Sequence, residues 1–446
     1  MPKSVDVKLA QIHADPNSST FILADAKDAD MAFGIAAPGR SPEHADGGYR
    51  SLEEYRQIIR QNVQQGLVDI MLMSVSTSEQ LTLKERLFDG SDVTPAIRAN
   101  DTTDIHAARG SHLPRQPSRP FRTALLDHAQ CGRLGCEPNQ RRLGVDLGLY
   151  SITFNNDVEL DRATLEAYKA FRVEAEQKGL RHFLEVFDPN APVHPVDPAL
   201  LGGFVNDLIV RALAGVASAG RPLFLKMVYH GPKFTQELVH YDPHLVVGIL
   251  GGSAGTTYDA FKMLAEARKY GAKAALYGRK INHSEHQLSF VQFLRWIADA
   301  QVGPEEAVRA YHGVLEGLGI RPHRPLDADM RLTAPSMSYA STLTVSIPSP
   351  AVTLAGRLAA AKPAPAAPAG KLAPRAAAQP APARKTQTPQ AGAARPKSAP
   401  TAPQPSAGAE AEDFPRTADG KPDFAKMTPQ QRLAYHRRRL DGKLGG

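Results

Sequence analysis

Arg221-Pro222-Leu223-Phe224-Leu225-Lys226-Met227-Val228-Tyr229 is an apolar run with one lysine at its centre. An ammonium is costly to bury, and burial lowers its pKa toward that of a usable amine nucleophile. The competing reading is a lysine whose stem lies along apolar surface while its head reaches the strand end, to hold phosphate or pair with a carboxylate. Two glycine-rich turns follow, Leu250-Gly251-Gly252-Ser253-Ala254-Gly255-Thr256 and Leu276-Tyr277-Gly278-Arg279-Lys280-Ile281. Glycines at strand ends let backbone N–H groups close around an anion, and a following helix N-terminus adds a favourable dipole. Gly251, Gly252, Ser253, Gly278 and Arg279 are therefore phosphate-binding candidates, against the blander reading that the glycines only make tight turns.

Working outward, short apolar runs alternate with stretches of helical period, the pattern of repeated βα units around a parallel sheet. The runs read as strands are Thr20–Asp25, Val68–Met73, Thr94–Arg98, Leu147–Phe154, His182–Phe187, Pro222–Val228, Leu245–Leu250 and Ala272–Tyr277. Helices are expected at Leu52–Gln65, Arg162–Lys178, Pro198–Ala219, Thr257–Tyr270 and His286–Ala300, with a closing helix at Pro304–Gly317. Eight such strands predict an α/β fold, a (β/α)8 TIM barrel over residues 1–330, with its active site where the strands end. Residues 101–142, rich in Pro, Arg and His, read as an insertion on the loop after strand 3. The lysine run is then strand 6, and the two glycine turns follow strands 7 and 8, where barrels usually build phosphate sites.

Carboxylates crowd the end of strand 1, in Asp25-Ala26-Lys27-Asp28-Ala29-Asp30, and Glu185 lies on strand 5. A carboxylate beside an amine nucleophile can move the protons that imine chemistry requires, but spacing alone does not decide which of these acts. His128, Cys131 and Cys136 form at most part of a metal set: no fourth ligand is evident, the spacing is not a usual zinc one, and no metal is expected. His106, His112 and His128 read as residues of a solvated loop, against the alternative that they contact substrate.

The net charge of +7 belongs to the C-terminal tail. From Val352 onward there are 16 lysines and arginines against 6 acidic residues, which leaves residues 1–351 with 37 against 40. A nucleic-acid role for the folded part loses its main support. Two cysteines are too few for a disulfide scaffold, no apolar window approaches the length of a membrane span, and the N-terminus lacks a signal-like pattern. These features lead us to expect a soluble protein in a reducing, cytoplasmic setting. Residues 351–410 are mostly Ala and Pro and are expected to form a disordered linker. Residues 411–446 are a basic tail with an amphipathic helix over 428–441, in which Thr428, Pro429 and Gln431 are start signals and Leu433 and Leu440 share a face.

Lys226 on strand 6, the Gly251–Thr256 turn and the Gly278–Ile281 turn together resemble the archaeal-type class I fructose-bisphosphate aldolases. Tagatose-bisphosphate and deoxyribose-phosphate aldolases are more distant barrel relatives. The resemblance covers roughly residues 18 to 300 and is most specific from Leu223 to Ile281. It implies a Schiff base at Lys226, no cofactor, a phosphorylated sugar substrate held by the glycine turns and Arg279, and a strand 1 acid matching Asp25 in Leu23-Ala24-Asp25. Lys27 and Glu185 complete the expected catalytic group. The family carries a tyrosine proton donor near the end of strand 4, where this chain has Thr153, with Tyr150 and Tyr229 as candidate substitutes. That departure keeps open a sugar-phosphate-binding barrel without turnover, acting as a scaffold or regulator through its tail. Barrel aldolases often assemble, so a homo-oligomer is expected. The linker and terminal helix resemble the extensions that target enzymes to bacterial microcompartment shells, against the alternatives of a nonspecific basic tail or an anchor for another partner.

Overall fold

A computed structural model describes residues 2–41, 48–106, 108–192, 194–252 and 255–333, together with single positions at 415, 416, 426 and 431. The chain divides into two units, Met1–Pro348 and Ser349–Gly446. The expected linker and, apart from Gln431, the expected terminal helix lie outside the described residues, as does Ser253.

Eight parallel strands close into a barrel: β1 (Ile22–Lys27), β2 (Ile70–Met73), β3 (Thr94–Arg98), β4 (Leu147–Thr153), β5 (Arg181–Phe187), β6 (Leu225–Met227), β7 (Gly248–Leu250) and β8 (Ala274–Tyr277). Each strand pairs with its sequence neighbours, and β1 closes the ring by pairing with both β2 (Ala24 opposite Ile70) and β8 (Ile22 opposite Ala274). The protein is a (β/α)8 barrel. Its principal helices are α1 (Ser4–Ala14), α2 (Leu52–Gln65), α3 (Val158–Gln177), α4 (Leu201–Ala214), α5 (Gly231–Tyr241), α6 (Thr257–Lys269), α7 (Gln287–Ala298) and α8 (Pro304–Leu318). Among the described residues no helix is long and apolar enough to cross a membrane.

The two-residue period of a strand sorts the side chains into two cores. Ile22, Ala24 and Ala26 of β1, Ala96 of β3, Leu147 and Leu149 of β4, and Phe183 and Phe224 pack in the lumen. There Phe183 and Phe224 stack with ring centroids 4.5 Å apart. Leu23, Met71, Ile97, Tyr150 and Leu184 point outward, into the layer between barrel and helices. The bottom of the lumen is plugged by α1, whose Val5, Leu9 and Ile12 join the inner core. Helix α1 was not expected from the sequence: its apolar spacing is helical, but its N-cap is Lys3, which makes no side-chain cap bond. Helix α5 was also missed, because its opening Gly231-Pro232 reads as a turn although proline is tolerated in a first helical turn. Helix α2 runs from the expected first residue to the expected last, framed by a Ser51–Glu54 capping box and by Gly66 at φ +69°.

The expected insertion between β3 and β4 holds a two-residue antiparallel ladder (Asp101–Thr102 with Pro120–Phe121) and a short helix, Leu126–Cys131. One expectation is corrected here. The two cysteines, read as signs of a reducing setting, are joined as a Cys131–Cys136 disulfide, with Cα atoms 6.1 Å apart. Gly132 (φ +78°) ends the helix and Gly135 (φ +71°) turns the chain back, so the sulfurs meet across one local turn. This local staple uses both sulfurs that the partial metal set required.

Strand β7 opens with Gly248 because the barrel leaves no room there: a Cβ would collide with the Leu225 carbonyl oxygen and come within 2.9 Å of the Ala274 Cβ. Gly248→Ala is expected to destabilise the barrel by about 1–3 kcal/mol through forced overpacking, read by urea unfolding.

Candidate active site at the barrel mouth

Above the apolar inner core, the next layer of inward side chains is charged. Arg98 ends β3, Ser151 is on β4, Glu185 on β5 and Lys226 on β6, while Asp28 follows β1 directly. All five are at least 94% buried. Lys226 Nζ lies 2.5 Å from Glu185 Oε1. The other carboxylate oxygen, Glu185 Oε2, accepts from Ser151 Oγ at 2.6 Å and from Arg98 Nη2 at 3.1 Å. Arg98 Nε donates to Asp28 Oδ2 at 2.5 Å, and its Nη1 donates to Ser151 Oγ at 2.8 Å. Two cations and two carboxylates thus share one buried network, which keeps the charges from being stranded. Burial works against ionisation of Glu185, but Lys226 and Arg98 outweigh it and hold its pKa below the usual range. The Asn100 side chain steadies this layer by pairing with both backbone groups of Ser151, at 2.6 and 2.8 Å.

The phosphate candidates border the same mouth. Gly251, Gly252, Gly278 and Arg279 line one hollow together with Asp28, Phe33, Arg98, Glu185 and Lys226. Gly252 has φ +61°. A Cβ on Gly251 would collide with the Tyr277 ring, and one on Gly278 would come within 2.8 Å of the Ala26 carbonyl oxygen. These turns are glycine because backbone and ring approach them closely. Arg279 lies over the Phe33 ring, 4.9 Å from its centroid. The helix dipole expected after β7 is already engaged: Thr256 N–H donates to Asp259 at 2.8 Å and Thr257 N–H to Asp329 at 2.8 Å.

The expected catalytic group is only partly brought together. Lys226 and Glu185 meet, but Asp25 and Lys27 lie on the outer face of β1. Lys27 Nζ donates to Asp25 Oδ1 at 2.8 Å, Asn282 Oδ1 at 2.7 Å and Gln287 Oε1 at 2.9 Å. Asp25 Oδ2 accepts from Asn62 of α2 at 2.6 Å. Both are fully buried, and burial raises the Asp25 pKa and lowers that of Lys27 while their mutual attraction opposes both shifts. They form an ion pair binding β1 to its helices, and the carboxylate that faces the lumen is Asp28. The candidate tyrosines are also turned away: Tyr150 stacks on Phe171 at 4.5 Å in the outer layer, and Tyr229 is buried in the other outer cluster. Thr153 Oγ1 instead donates to Asp104 of the insertion at 3.0 Å. Asp28 is one of the strand 1 carboxylates among which spacing did not decide, while Arg98 and Ser151 were not singled out from the sequence; the signal was available, since a two-residue step places Arg98 in line with the lumen residue Ala96.

Asp101, just beyond Arg98, is 1% exposed, and its Oδ1 has no hydrogen-bond partner among the described residues. Burial pushes its carboxyl up to about 6, Arg98 opposing and Asp28 adding to the shift.

Among solved structures, the chain is similar to an archaeal fructose 1,6-bisphosphate aldolase at 15% identity and TM-score 0.47, over 66% of this chain and 99% of that one. An archaeal aldolase with its catalytic lysine bound to the carbinolamine intermediate aligns with the same values. A fructose-bisphosphate aldolase from Slackia heliotrinireducens aligns at 13% identity and TM-score 0.49, over 69% of this chain and 89% of that one. No family model and no curated protein sequence matches the chain.

Two outcomes test these assignments. Lys27→Met strands the Asp25 carboxylate and should cost roughly 3–5 kcal/mol in denaturant unfolding, as for other broken buried pairs. A carboxyl with a raised folded pKa loses stability as pH climbs from its unfolded value through its folded one. Asp101→Asn should therefore match wild-type stability at about pH 4 and exceed it at about pH 7.5 in urea titrations.

Proposed function

We propose that this barrel is a class I aldolase that makes or breaks a carbon–carbon bond in a phosphorylated sugar through a Schiff base on Lys226. The observation that carries the reading is the buried Lys226–Glu185 pair at 2.5 Å, opening onto a hollow bordered by Gly251, Gly252, Gly278 and Arg279. Passage of the ammonium proton through Glu185 leaves an amine that attacks the substrate carbonyl carbon. The carbinolamine loses water with a proton returned from the same carboxyl, and the resulting iminium accepts the electron pair of the cleaved bond. Asp28, held by Arg98 at 2.5 Å, replaces Asp25 as the mouth carboxylate that takes the proton of the departing hydroxyl. The glycine turns and Arg279 grip the phosphate, so that the carbonyl lies against Lys226. No cofactor enters these steps.

A second reading, a sugar-phosphate-binding barrel without turnover, is favoured by the strand 4 position, where Thr153 is hydrogen-bonded to Asp104 and Tyr150 faces outward. One experiment separates the two. Borohydride reduction with dihydroxyacetone phosphate, followed by peptide mass mapping, should trap an adduct on Lys226 in the wild type and none in folded Lys226→Ala. Phosphate-dependent binding without any adduct would replace the aldolase with the binding protein.

A further inference from the structure

The turn after β7 is held by residues far beyond the barrel. Asp329, in the short helix Leu326–Asp329 that follows α8, accepts the Thr257 N–H on Oδ1 at 2.8 Å, and its Oδ2 pairs with His312 of α8 at 3.0 Å. Thr256 Oγ1 donates to the Arg331 carbonyl oxygen at 2.8 Å. Thr333 closes the connection, its N–H reaching Asp259 Oδ1 at 3.0 Å and its hydroxyl reaching Asp259 Oδ2 at 2.6 Å. Asp259 in turn caps the Thr256 N–H at 2.8 Å and lies so close to Gly255 (φ +86°) that a Cβ there would strike its carboxylate. From the β8 side, Lys280 Nζ holds the Gly255 carbonyl oxygen at 2.8 Å. Apart from the Asp329–His312 pair, which holds the strap to α8, each of these bonds ends on Gly255, Thr256, Thr257 or the Asp259 that caps them. Since α6 begins at the strand-end face of the barrel, the segment returns to the mouth.

We propose that Asp329–Thr333 is a strap that positions the phosphate-gripping turn, with Asp329 and Thr333 as positioning residues; this rests on the phosphate role assigned to that turn above. The strap acts through geometry. The two carboxylates of this connection, Asp259 of α6 and Asp329 of the strap, are 3% and 2% exposed and carry the charge an anion would avoid, so they contribute by fixing the backbone at Thr256 and Thr257, beside Gly255. Thr333 is exposed, so replacing it leaves the buried core intact. A purely structural clip would affect phosphorylated and unphosphorylated ligands alike, whereas a phosphate strap discriminates between them.

The full-length chain is tested by borohydride trapping over a concentration series of dihydroxyacetone phosphate and, separately, of unphosphorylated dihydroxyacetone. Wild type should half-saturate at far lower concentration with the phosphate. Thr333→Val should raise that phosphate concentration roughly tenfold, as loss of a charge-assisted hydrogen bond does, leave the unphosphorylated series unchanged, and speed amide exchange at Gly255–Thr257. Thr333→Ser should restore wild-type values. Thr333→Val that discriminates as wild type does overturns the strap alone. A wild type trapped equally by both ligands overturns the phosphate reading, and the strap with it.

Discussion

Charges buried at the mouth of a barrel have to neutralise one another, and the arrangement of the upper lumen follows from that requirement. Lys226, Glu185, Arg98 and Asp28 come from four different positions around the ring, and each is within hydrogen-bond reach of at least one partner of opposite sign. Ser151 fills the gap, donating to Glu185 and accepting from Arg98. A lysine in this setting is held at one place and supplied with a carboxylate for its proton, both of which imine chemistry demands. The same network makes the layer costly to alter one residue at a time, because each deletion leaves a charge without its counterpart.

The alternation of a strand divides one cluster of charges into two unrelated structures. Asp25 and Lys27 project from the outer face of β1 into a polar knot with Asn62, Asn282 and Gln287, which ties the first strand to helices on both sides of it. Asp28, the next residue along, faces Arg98 inside the barrel. The acidic crowding at the end of strand 1 therefore serves assembly on one side and the site on the other.

The glycine turns illustrate a related division. Gly251 and Gly278 are required by the Tyr277 ring and by the Ala26 carbonyl, both parts of the barrel wall. Gly255 is required by Asp259, whose carboxylate is shared with a segment some seventy residues downstream. The first two shape the hollow, while the third lets the chain beyond the barrel take hold of the turn. The helix end behind this turn, which the sequence suggested would face an anion, is already closed by the chain's own carboxylates.

The sequence by itself determined the barrel, its eight strands in order, the first and last residues of helix α2, and the meeting of Lys226 with the turns after β7 and β8. These follow from local period and the fact that strand ends converge on one face of a closed ring. Lys226 could be singled out because a lone lysine in an apolar strand has few ways to be accommodated. Tertiary structure alone decided which face of β1 carries Asp25, which carboxylate meets Arg98, that Tyr150 turns away from the lumen, and that Asp329 and Thr333 return to the turn after β7. Each depends on a partner distant in the chain: a one-residue change in where a strand begins exchanges its two faces, and hydrogen bonds across seventy residues leave no periodic trace in sequence.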